Sequence, residues 1–110
     1  MAYLLAESKQ PDEALKYAQK AKELAPDNAA VDDTLGWTYY QKGLYSLAVT
    51  HLEGATARDG TPRRKYHLAM AYCKAGDPKR GRQAYDAAYK MDPNLPEAQA
   101  ARQVLGIATN

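Results

Sequence analysis

Small and apolar residues return along this chain at helical spacing, and Pro, Gly, Asp and Asn interrupt them at regular intervals. Ala14, Leu15, Ala18 and Ala21 fall on one helical face after Pro11, which suits a first turn because its missing N–H has no helical partner there. Pro26, Asp27 and Asn28 end that segment. The spacing predicts a helix from about 29 to 42, stopped by Gly43, which can take the left-handed conformation of a helix terminus. A helix to about Arg58 follows, with Ser46 as its N-cap. Thr61 as cap and Pro62 in the first turn open another, which Gly76 stops. Asp77 and Pro78 start the next, to about Met91, and Pro96 starts a last one to about Ile107. Residues 2–9 read as the second half of a further helix, giving seven helical segments.

The residue types also repeat at a fixed period of 33 to 34. Leu35, Gly36, Tyr39, Gly43 and Ala55 are answered by Leu68, Ala69, Tyr72, Gly76 and Ala88. Ala14, Ala21 and Pro26 stand one period before Ala48, Ala55 and Gly60. Such a period marks stacked helical pairs, each burying its apolar face on the next, and such stacks work by presenting a surface. The chain divides into an incomplete first repeat (1–28), a second (29–61), a third (62–95) and a capping helix with tail (96–110), all in one domain. The last helix sets Glu97, Gln99, Arg102 and Gln103 beside Ala98, Ala101, Val104 and Leu105, as a cap with one wet face does. The other end has no matching cap, and Tyr3, Leu4 and Leu5 would be exposed there.

These residues resemble the tetratricopeptide repeat family over about residues 2 to 107. Leu35, Gly36, Tyr39, Gly43, Tyr45, Ala48, Leu52 and Ala55 match one repeat. Leu68, Ala69, Tyr72, Gly76, Tyr85, Ala88 and Pro93 match the next, and Leu5, Ala14, Ala18, Ala21 and Pro26 match the incomplete one. The resemblance implies an all-α fold, a right-handed α-solenoid of antiparallel helix pairs with about two and a half repeats plus a C-terminal capping helix. It also implies a piece of a longer, bacterial-type repeat protein. Departures from the pattern are few. Gly60 replaces a closing Pro. Gly81 replaces an Ala, which is expected to loosen that packing site and weaken its helix by about 0.5 to 1 kcal/mol.

Composition adds little to the fold and removes several functions. Nine Tyr and no Phe suit a thin structure in which few rings lie far from water. A single Cys73 excludes an internal disulfide, and no apolar run approaches the roughly 20 residues that span a bilayer. The compartment stays open between cytoplasm and periplasm. The net charge of +2 hides an acidic excess before residue 56 and a basic excess after it, which would favour head-to-tail contact between molecules or steer an acidic partner.

Chemistry-bearing motifs are sparse. Gly-rich phosphate loops, HExxH and paired CxxC are absent, so no enzyme and no cofactor is expected. His67 and Cys73 stand about 120° apart on one helix, and two His with one Cys offer no metal-ligand spacing. Asp32 and Asp33 read as acids favouring the positive end of their helix. The basic run from Arg58 to Arg82 with Tyr66 and Tyr85 is scattered over loops and several faces, so nucleic acid is not the expected partner. Attention falls instead on one face of the first helices. It carries Asp33, Trp37, Tyr40 and Gln41 in one repeat and Tyr66, Met70, Cys73 and Lys74 in the next, with Arg63 and His67 at its edges and Tyr3 extending it.

In proteins similar to this one, that face lines a concave groove holding an extended peptide or a partner helix, so a protein or peptide partner is expected, with Trp37, Tyr40 and Tyr66 as aromatic anchors. The positions that hold a chaperone-tail carboxylate in such domains correspond to Tyr3, Thr34, Arg63 and His67. Only Arg63 has a suitable charge, so that clamp is not expected. The alternative reading is a spacer or self-assembly segment, associating through the uncapped N-terminal end.

Overall fold

The structure, a computed structural model, describes residues 11–107, and among them it has six helices and no strand. They are α1 (Pro11–Leu24), α2 (Ala29–Gln41), α3 (Tyr45–Arg58), α4 (Pro62–Lys74), α5 (Pro78–Met91) and α6 (Pro96–Leu105). The expected half-helix at 2–9, with Tyr3, lies outside the described residues. Each helix packs on its chain neighbour, and α4 also touches α2 and α6. The first helices of the repeats, α2 and α4, therefore stand in a row with α6, backed by α1, α3 and α5. The chain is an all-α solenoid of helix pairs.

Local chemistry sets the boundaries. Asn28 caps α2 by accepting from the Val31 amide, Thr61 caps α4 through Arg64, and Asp77 caps α5 through Arg80. Gly43 (φ 81°) and Gly76 (φ 94°) turn the chain after α2 and α4 in a conformation that costs a side-chain-bearing residue energy. Ser46 is not a cap. Helix α3 starts two residues earlier than that cap implies, at Tyr45, and its N-cap Leu44 makes no side-chain capping bond.

Packing follows the period. Leu35, Tyr39, Leu52 and Leu68 with Ala18, Ala48 and Ala71 form one buried cluster. Tyr66, Met70 and Tyr85 with Ala69, Ala88, Ala98 and Ala101 form a second, sealed by α6. Each fully buried large side chain contributes roughly 2 kcal/mol. Small residues allow the close approach: a Cβ on Gly36 would stand 2.7 Å from Leu52 Cγ. At Gly81 the expectation is reversed. A Cβ there would lie 2.9 Å from the Ala69 carbonyl oxygen and 3.3 Å from the Cys73 nitrogen, so α5 rides directly on the α4 backbone. That seam is tight, and glycine is what permits it.

Candidate functional site

Rings stacked from α2 to α4 organise the row of first helices. One turn of α2 brings Trp37 beside Tyr40, their rings parallel within 6° at 4.5 Å. On its other face Trp37 meets His67 of α4 at 4.1 Å and 16°. Asp33, one turn before Trp37, receives His67 Nδ1 at 3.0 Å across 34 residues, which is one repeat. A carboxylate, an imidazole, an indole and a phenol thus form a continuous column, with its outer end closed by an edge-on contact from Tyr45. Burial pushes the Tyr40 hydroxyl up to about 12, with Tyr45 adding to it.

Two shallow depressions flank this column. The first, about 220 Å³, is lined by Ala30, Asp33, Thr34, Trp37, Arg63, Arg64 and His67. The second, about 230 Å³, lies toward α6 and is lined by Trp37, Gln41, His67, Met70, Pro96, Glu97 and Ala100. Trp37 and His67 belong to both, so the two depressions form one groove over α2, α4 and α6. Its charges are paired. Arg63 Nε meets Glu97 Oε2 at 3.3 Å, and Arg64 reaches both the carbonyl and the carboxylate of Asp59.

The expected site residues separate into two sets. Asp33, Trp37, Gln41, Arg63, His67 and Met70 line the groove. His67, expected at an edge, lies on the floor and is almost fully buried. Tyr40 lines neither depression and supports Trp37 from behind. Lys74 is exposed at the end of α4 and lines neither. Tyr66 is corrected outright as an anchor, since it is 0% exposed and donates its hydroxyl to the Asp92 carbonyl at 2.7 Å while packing against Tyr85. Its place in the second cluster pushes that hydroxyl up to about 12, mainly by burial. Trp37 is corrected in detail, because both ring faces are covered and only its edge remains for a ligand. Pro96, Glu97 and Ala100 were missed, because α6 read as a cap and not as a groove wall.

Asp32 has a different setting. It is buried, and Lys22 of α1 (2.8 Å), His51 of α3 (3.3 Å) and Arg58 of α3 (3.6 Å) converge on it. It ties α1 to α3 through α2 and lies outside the groove.

Family comparison decides the class. Tetratricopeptide repeat models match residues 34–96, 66–108 and 1–28, which is most of the chain. The chain belongs to the tetratricopeptide repeat family. Among solved structures, this tetratricopeptide chain is similar to the Arabidopsis OM64 TPR domain, at a TM-score of 0.82 and 16% identity over 96% of this chain and 88% of that one. It is similar to the second TPR domain of human RPAP3, solved with the HSP70 peptide SGPTIEEVD, at 0.80 and 13% over 96% and 88%. It is also similar to PcrH in complex with the chaperone binding region of PopD, at 0.76 and 22% over 96% and 80%. A comparison with curated protein sequences returns no match. No helix among the described residues is long and apolar enough to cross a membrane.

Proposed function

We propose that this tetratricopeptide domain is a protein-interaction module, not an enzyme, and that it holds an extended segment of a partner protein in the groove over α2, α4 and α6. The observation that carries this reading is the pair of depressions sharing Trp37 and His67, which offers two side-chain sites in a row on a preformed surface. RPAP3 and PcrH, similar in fold, hold peptide segments of other proteins, and that supports the class of ligand. The test is Ala100→Arg. Ala100 is an exposed wall of the second depression, so the new side chain fills the groove without disturbing the core. Retention of octapeptides from a random array by the wild-type domain, lost in Ala100→Arg at unchanged helicity, is the expected result. Equal retention by both would refute the placement.

A second reading, self-assembly, is favoured by one feature. Ala18, Ala21, Ala30, Val31 and Thr34 line an apolar depression of about 170 Å³ between α1 and α2, at the end where the acidic half of the chain begins. Sedimentation of the domain over a range of concentrations and salt separates the two. Association that salt weakens supports self-assembly, and a monomer throughout removes it.

A further inference from the structure

The floor of the groove holds an imidazole fixed on two sides. Asp33 Oδ1 lies 3.0 Å from His67 Nδ1, and Trp37 covers one face of the ring at 4.1 Å and 16°. An ionised carboxylate only accepts hydrogen bonds, so Nδ1 carries the proton of the neutral ring and Nε2 is left with a lone pair. Nε2 makes no hydrogen bond to any described residue. Among the described residues Arg102 Nε is the one enclosed side-chain nitrogen or oxygen without a partner, so Nε2 is not sealed from solvent although His67 is only 2% exposed. His67 and Trp37 line both depressions, so a segment with a side chain in each passes its main chain over these two residues.

We infer that His67 Nε2, on the ring edge turned away from Asp33, accepts a main-chain N–H of the bound segment where the segment crosses from the first depression to the second. Asp33 sets the tautomer and Trp37 holds the ring, so the acceptor is in place before the partner arrives and little freedom is lost in using it. Every residue except proline carries that N–H, so the bond fixes the position of the segment without reading its sequence and excludes proline at one place. A terminal carboxylate would need a donor at this point of the floor. The imidazole bound to Asp33 offers the opposite polarity, which suits the interior of a chain. This role rests on the groove being the binding site proposed above.

The test uses an octapeptide retained by the wild-type domain, with copies of it methylated on one main-chain nitrogen at a time. Imidazole nitrogen NMR of the free domain, with the His51 signals assigned from His51→Gln, is expected to show His67 protonated at Nδ1 and bare at Nε2. The Nε2 resonance is expected to move when the peptide binds. One methylated copy is expected to lose affinity about fivefold or more for the wild-type domain and less than about twofold for His67→Phe, whose ring can still stack on Trp37 but accepts nothing. A proton on Nε2 in the free domain, an Nε2 resonance unmoved by bound peptide, or a methylation penalty equal in His67→Phe and wild type overturns the role of His67; release of the peptide by Ala100→Arg then leaves the groove reading standing. If no octapeptide is retained, or Ala100→Arg retains it as well as the wild type does, the groove reading and this role fall together.

Discussion

Asp32 and Asp33 are adjacent in the chain, sit on the same turn of α2, and each meets a histidine, yet they serve different regions. Asp32 faces α1 and α3, where Lys22, His51 and Arg58 surround it. Asp33 faces α4, where it holds His67 against Trp37 at the floor of the groove. Successive helical positions differ by about 100°, so one residue is enough to pass from the seam that holds repeats together to the surface available to a partner. The first helices, α2 and α4, thus serve both purposes, while α1, α3 and α5 back them. Charge on the seam side is gathered around one buried carboxylate. On the groove side it is spread in separate pairs.

The largest expected effect breaks this contrast if it fails to appear. Asp32→Ala leaves Lys22, Arg58 and the His51 ring around an empty site and is expected to cost about 2 kcal/mol, less than a deeply buried pair because the partners keep some contact with water. Asp33→Ala is expected to cost about 1 kcal/mol, by leaving His67 Nδ1 without its acceptor, and to shift the emission of Trp37. Thermal unfolding followed by circular dichroism ranks the two, and equal losses would erase the distinction. Next, Ala100→Arg is expected to weaken peptide binding at least about tenfold, near 1.4 kcal/mol, with stability unchanged within about 0.5 kcal/mol. A matching loss of stability would mean that groove and seam are not separate.

Gly81→Ala addresses a contact belonging to neither region. Helix propensity favours the alanine by about 0.8 to 1 kcal/mol, but its Cβ would press on the Ala69 carbonyl oxygen at 2.9 Å, so a net loss of about 1 kcal/mol is expected. A stabilised variant would show that the α4–α5 seam can open. The smallest effect is alkaline. Tyr40, Tyr66 and Tyr72 are raised from 10.0 to about 12, the first two mainly by burial and Tyr72 by burial with the Glu53 carboxylate as acceptor. The folded state keeps these protons where the unfolded chain releases them. Their contribution is therefore complete below pH 10 and is lost as the pH rises toward about 12, which urea midpoints across that range would follow.

Much of this architecture is legible in the residues, because it rests on local rules. Thr61 and Asp77 cap where a hydroxyl or carboxylate stands directly before a first-turn proline, Pro62 or Pro78, and Gly43 and Gly76 stop helices where the left-handed conformation is needed. Contacts between distant residues are less legible. Tyr66 occupies a groove-facing register by helical spacing, but its burial depends on Asp92, 26 positions later, and on α6 closing over it. The Asp32 cluster joins residues from three helices, and no pattern along the chain marks it. Gly81 read as a loosened site because propensity considers one helix, whereas the contact involves two backbones. Glu97 and Ala100 escaped notice because α6, taken as a cap, also forms the groove's third wall.

Trp37 is the chain's single tryptophan and it borders both depressions, so its emission reports on the groove directly. The decisive measurement is a fluorescence titration of the wild-type domain and of Ala100→Arg with an octapeptide retained by the array. A saturable shift in Trp37 emission that disappears in Ala100→Arg is the predicted result. Binding of that peptide, confirmed by calorimetry, with Trp37 emission unmoved and affinity unchanged in Ala100→Arg would contradict the account.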